Sequence, residues 1–352
     1  MLRIAQIAPL YESVPPKLYG GTERVVAYLT DELINQGHEV TLFASGDSTT
    51  KGRLIPICEH ALRLCNHIDS LAYHILQLQE VFERVDDFDI LHFHTDYLHF
   101  PFTYDRHLTT ITTLHGRLDI EDLVPIYEKF RRIPIVSISN AQRRPLPNAN
   151  WIGTVYHGLP NLYKQGEGKG NYAVFLGRVS PEKRVDRAIE IARQAGVKIK
   201  IAAKIDKADQ AYYEKEMKHL FVQPHVEFLG EIGEKEKSQL LQNAIALLFP
   251  IDWEEPFGIV LIEALACGTP VIAFNRGSVP EIITNGKTGY IVESISEAVT
   301  ALQRICEISR AECRKTFENR FSATIMAKNY LRLYEKLVHP EKQRLTSLSS
   351  NE

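Results

Sequence analysis

The chain has 352 residues, 44% of them hydrophobic and 24% charged, with a formal net charge of -3. That length exceeds one ordinary α/β core and suits two domains, and the near-neutral charge lends no support to a general nucleic-acid-binding role. No run approaches the ~18 apolar residues of a membrane span, no secretory leader pattern opens the sequence, and the five cysteines form no CxxC. A cytoplasmic, reducing setting without structural disulfides or zinc is therefore expected.

Taken in chain order, residues 3–9 form an apolar run compatible with a strand. Residues 22–37 read as a helix with the stripe Val25, Val26, Leu29 and Leu33, Thr22 as N-cap, and Gly37 where a C-terminal cap belongs. Strands are expected at 40–44, 90–94, 109–115 and 133–139, with a long amphipathic stretch at 62–85 and a helix at 120–132. Residues 158–170, rich in Gly, Pro, Asn and Lys, read as a linker. The pattern then restarts, with strands at 173–177, 197–203, 226–229, 246–250, 270–274 and 290–292 and helices at 185–195, 210–221, 235–243 and 258–266. Amphipathic helices follow at 296–321 and 323–338, and the last dozen residues are polar and read as frayed. Strands alternating with helices predict parallel sheets, and two such series predict an α/β protein of two Rossmann-like, doubly wound domains facing a cleft. The expected domains are residues 1–160 and 170–322.

In open parallel sheets ligands bind beyond the carboxyl ends of the strands. Gly20 and Gly21 stand just before the first helix, where free N–H groups and the positive end of the helix dipole suit an anion; an ordinary glycine turn accounts for them equally well. Arg178 and Lys183 flank the loop of GRVSPEKR, residues 177–184, and could grip phosphate oxygens or form a solvated basic turn. In residues 253–272, Glu255 precedes a helix and Glu263 lies inside it among Ile259, Val260, Leu261, Ile262, Ala264 and Leu265. A carboxylate in such apolar company needs a partner, and sugar hydroxyls would serve. Asp96 follows a strand and is a candidate to line the site, whereas His92 and His94 alternate onto one strand face with no third ligand, so no metal is expected. The absence of GxGxxG after the first strand argues against a nicotinamide-dependent oxidoreductase.

These segments resemble glycosyltransferase family 4, the retaining glycosyl transferases of group 1 with the GT-B fold. The matching pieces are GGTERV (20–25), GRVSPEKR (177–184), EPFGIVLIE (255–263) and ACGTPVIAFNRGSVPEII (266–283), in the family's order over nearly the whole chain. The resemblance implies a metal-independent, cofactor-free enzyme that moves a sugar from a nucleotide-sugar donor, a UDP-sugar by family frequency, to a hydroxyl acceptor that the sequence does not name. It implies that Gly20, Gly21, Arg178 and Lys183 face the donor diphosphate and that Glu263 takes the ribose hydroxyls. Glu255, with the backbone of Phe257, Gly258 and Ile259, would face the sugar, and the base would lie near Lys204 and Ile232. His115 matches a histidine near the reaction centre, which leaves His115, Arg178, Lys183 and Glu255 as the catalytic candidates. Residues 1–160 would bind the acceptor, residues 170–322 the donor, and helix 323–340 would pack back on the first domain. Departures are Lys204 and Asp206, where relatives have a glycine-rich turn, and His157, where many have Asn; with Asp96, His157 is an acceptor-side candidate or else a linker residue. Residues 62–85 and the pairs Arg131-Arg132 and Arg143-Arg144 read as charged surface, an acceptor site or a weak peripheral membrane contact. The alternative functions are a non-catalytic nucleotide-sugar-binding protein and a nucleotide-sugar epimerase of the same build.

Overall fold

The structure, a computed structural model, describes residues 1–17, 20–65 and 69–339. The frayed tail expected at the end, part of the 62–85 stretch, Tyr19 and Pro340 lie outside those residues. The chain divides into two compact units: Met1–Gly158 with the chain from Ala323 onward, and Leu159–Ser322.

The first unit holds one parallel sheet. Its strands are β1 (Arg3–Ile7), β2 (Glu39–Ala44), β3 (Arg53–Pro56), β4 (Ile90–Phe93), β5 (Thr110–Thr113), β6 (Ile135–Ser137) and β7 (Trp151–Thr154), in the order β3-β2-β1-β4-β5-β6-β7. Helices α1 (Gly21–Asn35), α2 (Ser70–Phe82), α3 (Phe100–Thr103) and α4 (Val124–Lys129) cross between them. The strand order reverses between β1 and β4, the place where such sheets open for ligands. Both strands are buried because the sheet is covered on two faces: Ile4, Ala5, Ile7, Ile90, Leu91 and Phe93 are apolar and buried, and the polar Gln6 and His92 are buried among them.

The second unit repeats the plan. Strands β8 (Tyr172–Arg178), β9 (Lys198–Lys204), β10 (Val226–Gly230), β11 (Ala246–Phe249), β12 (Val271–Phe274) and β13 (Gly289–Val292) pair in parallel in the order β10-β9-β8-β11-β12-β13. Its helices are α5 (Val185–Ala195), α6 (Gln210–Tyr212), α7 (Glu234–Asn243), α8 (Ile259–Ala266), α9 (Val279–Ile282), α10 (Ile295–Gln303) and α11 (Arg310–Arg320). Arg310 ties this unit together, donating to the carbonyls of Gly166, Gln242, Ala244 and Cys267 and to Thr269 Oγ1. A cation there satisfies the last carbonyls of α7 and α8, which have no partner within their helices. The final helix, α12 (Ala323–Val338), belongs to the first unit and buries Met326, Ala327, Tyr330, Leu333 and Tyr334, a stripe at helical spacing. It packs against α1, and Leu333 comes so near the sheet that a Cβ on Gly153 would sit 3.0 Å from its Cδ1.

Several expectations are corrected. Strands β3 and β7 were not anticipated: β3 has four residues and ends on Pro56, and β7 contains Gly153. The 62–85 stretch is a turn at Leu62–Leu64 followed by α2, which starts on Asp69 as its N-cap. The 120–132 helix shrinks to a turn at Glu121–Leu123 and the six residues of α4. Residues 210–221 give one turn of α6 and a π-turn, Tyr213–Met217, and 296–321 splits into α10 and α11 around the turn Ile305–Glu307. Residues 158–170 are no free linker. Leu159 bridges to Ser322, and Gly166, Gly168 and Gly170 donate to the carbonyls of Cys267, Gln242 and Asn243, so the segment is bonded into the second unit.

Candidate functional site

In the second unit the singled-out residues gather at the carboxyl ends of β8, β9 and β11. Arg178 is the last residue of β8, and a turn, Pro181–Lys183, follows it. Its guanidinium donates to Glu182 at 2.7 Å and lies 3.8 and 3.6 Å from Asp206 and Asp209. Lys204, half-buried at the end of β9, pairs with Asp206 at 3.0 Å. The basic patch read from the sequence thus lies among three carboxylates; Glu182 shares its loop, whereas Asp206 and Asp209 are brought in by the pairing of β9 with β8, which the linear sequence does not display.

Lys183 makes an ion pair with Glu255, and its ammonium sits 4.8 Å from the centre of the Trp253 ring. Trp253 Nε1 donates to the same Glu255 oxygen at 3.2 Å. Glu255 is buried, and the loop that carries it is clamped by the turn after β12. The Gly277 and Ser278 N–H groups donate to Glu254 and to the Glu255 carbonyl, and Ser278 Oγ donates to the Phe257 carbonyl. A Cβ at Gly277 would lie 2.3 Å from the Glu255 oxygen, and its φ of 54° lies in the left-handed region, so only glycine fits.

Gly258, at φ 79°, opens α8 without a side-chain cap; the Leu261 N–H bonds to the Gly258 carbonyl at 3.0 Å, and the N–H groups of Ile259 and Val260 at the helix start are the ones an acceptor could meet. The Phe257 side chain is core, packed edge-on against Phe321, so only its backbone could meet a ligand. Glu263, in the next turn, is buried; its Oε1 accepts from Lys237 Nζ at 2.5 Å and from the Tyr163 hydroxyl at 3.4 Å, and its Oε2 has no partner. Lys237 also reaches Glu234 at 2.7 Å. Ile232 is half-buried between β10 and α7. The sequence reading missed Lys237, Trp253, Tyr163 and Gly277. Lys237 stands in the charged run EKEKS and Tyr163 in the supposed linker, so neither carried a signal.

In the first unit Gly20 is the N-cap of α1, at φ 151°, and a Cβ there would meet the Pro16 ring at 2.7 Å. Thr22 is not the cap; the helix begins at Gly21, and no side chain caps it. Glu23, buried in that first turn, has its carboxyl raised to about 7 by desolvation against the pull of Arg63. His115 follows β5, bonded to His94 at 2.8 Å and stacked on His157 at 5.2 Å. His157 is buried rather than a surface linker residue. Burial holds His92, His94 and His157 well below the usual histidine range and pushes His115 down to about 3, so all four are neutral. Asp96, at φ 51°, has an exposed side chain, yet the protein crowding it lifts its carboxyl to about 6. His92 and His94 are taken up by hydrogen bonds, and among the described residues no cluster of His, Cys, Asp or Glu is placed to hold a metal. Of the arginine pairs, Arg132 is held by Asp105 and the Tyr104 ring, and Arg143 by Ser137 and the Trp151 ring. Among the described residues no helix is long and apolar enough to cross a membrane.

A family model described as Glycosyl transferases group 1 matches residues 161–320, and one described as Glycosyltransferase Family 4 matches residues 19–155. The N-acetyl-alpha-D-glucosaminyl L-malate synthase of Bacillus anthracis is 25% identical in a match covering 92% of this chain and 96% of that one. The sucrose-phosphate synthase of Thermosynechococcus elongatus has a TM-score of 0.79 at 17% identity, covering 97% and 100% of the two chains. The Anabaena protein HepE, solved with UDP and glucose, has a TM-score of 0.74 at 17% identity, covering 96% and 100%. The solved structures share the fold of two parallel-sheet, Rossmann-like domains known as GT-B.

Proposed function

The chain belongs to the family 4, group 1 glycosyltransferases, and from that premise we propose that it transfers a sugar, with retention and without a metal or other cofactor, from a UDP-sugar to an acceptor hydroxyl. The second unit binds the donor in this reading, and the first serves the acceptor side, with Asp96 and His157 as its candidates. The observation that carries it is the placement of Glu255 and Glu263 about the open N-terminus of α8, one held by Lys183 and Trp253, the other keeping a buried oxygen without a partner. A ribose hydroxyl donating to Glu263 Oε2 would satisfy that oxygen. The uridine class is supported by HepE, which was solved with UDP and glucose.

In the proposed reaction the bond from the sugar C1 to the diphosphate oxygen breaks as the acceptor oxygen bonds to C1 on the same face. The acceptor proton passes to a phosphate oxygen of the leaving UDP. Arg178 and Lys183 stabilise the growing diphosphate charge with the N–H groups of α8. Arg178 exchanges Glu182 for phosphate oxygens, and Lys183 does the same with Glu255, which frees Glu255 for the sugar. Lys204 and Ile232 flank the base, and His115 faces the sugar. A cytoplasmic setting belongs to the same proposal and is supported by five free cysteines. A weak peripheral membrane contact remains a proposal for the pairs Arg131-Arg132 and Arg143-Arg144.

A thermal-shift screen against UDP, GDP, ADP and dTDP, with and without magnesium, tests the donor reading, since ligand binding to the native state raises Tm. The expected result is a rise with UDP that is independent of magnesium and lost in Glu263→Ala. No rise with any nucleotide would count against it, and a rise only with magnesium would remove the metal-free part.

A further inference from the structure

Beneath His115 a chain of hydrogen bonds crosses the interior of the first unit. His115 Nε2 lies 2.8 Å from His94 Nδ1, and His94 Nε2 lies 2.7 Å from Gln6 Oε1. Gln6 Nε2 donates to the Tyr334 hydroxyl at 3.2 Å, which lies 2.7 Å from His92 Nδ1. His92 Nε2 reaches Thr113 Oγ1 at 2.7 Å, and that hydroxyl meets Tyr330 at 2.9 Å. Gln6, His92, His94, Thr113, Tyr330 and Tyr334 are all buried, and none of them reaches a ligand in the mechanism above. His115 Nδ1, at the end of the chain, is buried with no partner.

Proton counting sets the direction of this chain. Gln6 Oε1 only accepts, so His94 carries its proton on Nε2 and presents Nδ1 as an acceptor. His115 then donates from Nε2 and keeps Nδ1 bare. Turning the Gln6 amide over, so that its Nε2 donates to His94 Nε2 and its Oε1 accepts from the Tyr334 hydroxyl, would run every bond the other way but leave a buried N–H at His115 Nδ1 with nothing to receive it. An orphaned buried N–H is rarer than an under-used acceptor. We propose that Gln6 and His94 are positioning residues that fix His115 as the Nε2–H tautomer, so that its Nδ1 accepts a hydrogen bond from a substrate hydroxyl. The substrate side of this rests on the transferase reading; the tautomer does not. A neutral His115 held this way selects for a donating group, and a substrate with hydrogen in place of that hydroxyl leaves the lone pair unanswered.

The test is long-range 1H–15N correlation NMR on histidine-labelled protein at pH 7.5, with His115 assigned by its loss in His115→Gln. In the wild type, Nε2 is expected to be protonated and Nδ1 bare. In Gln6→Met, which keeps the volume and removes the acceptor, both tautomers of His115 should be present, and His94→Leu should give the same mixture. A wild-type His115 protonated on Nδ1 would overturn the proposal, as would a pure Nε2–H tautomer persisting in the folded Gln6→Met protein. Calorimetric titration of the wild type with UDP is run alongside. Failure to bind UDP counts against the donor reading and leaves the tautomer result intact.

Discussion

Glu263 places a charge where the surrounding residues are apolar, and its two oxygens divide the labour: one on Lys237, the other with no partner. A hydrogen bond to a charged group is worth about 1.5–3 kcal/mol, so Glu263→Gln should weaken UDP binding roughly 10- to 100-fold while the fold survives. Calorimetric titration reads this, and unchanged affinity would place the ribose elsewhere. Arg178→Ala should lower kcat about 100-fold or more, the scale on which a transition-state charge partner acts; full turnover in a folded variant would remove Arg178 from the reaction. Both glutamates were legible because a carboxylate beside an apolar helical run demands an explanation. Their cationic partners were not. Lys183 was read as facing phosphate, and nothing in the linear sequence pairs it with Glu255, 72 positions away.

At the scale of elements, the turn after β12 acts on the loop before α8 through backbone contacts. Gly277→Ala must relieve a Cβ placed 2.3 Å from the Glu255 oxygen and adopt a left-handed conformation, which alone costs roughly 1–2 kcal/mol. The expected outcome is a Tm several degrees lower together with lost donor binding. A substitution that spared both would show that the loop does not depend on this turn. The sequence displayed this connection only as a motif, because the approach of Gly277 to Glu255 is a tertiary contact. Elements with a clear apolar stripe, α1, α5 and α12, were legible within a residue or two. The short strands β3 and β7 and the broken helices were not, since four residues carry too little periodicity to separate a strand from a loop.

On the scale of the whole molecule, acid should act first on the first unit. His92, His94, His99, His115 and His157 are held neutral by burial, with His99 and His115 pushed down to about 3. In the unfolded chain a histidine takes up its proton near 6.5, so below that pH the unfolded state binds more protons and stability falls with pH. Glu23 and Asp96, raised to about 7 and about 6, hold protons in the folded state and act in the opposite sense in the same window, but the histidines outnumber them. Calorimetric melting from pH 7.5 to 5.5 should show the first unit's transition moving to lower temperature. A transition that did not move would mean that these imidazoles are charged when folded. The division of the chain has a further consequence, for its birth on the ribosome. Residues 159–322 are contiguous and can close as soon as they emerge, whereas Gln6, His92 and Thr113 must wait for Tyr330 and Tyr334, more than 200 positions later. The segment made first is therefore the last to be completed, and the nascent first unit spends most of synthesis exposed to whatever chaperones attend it.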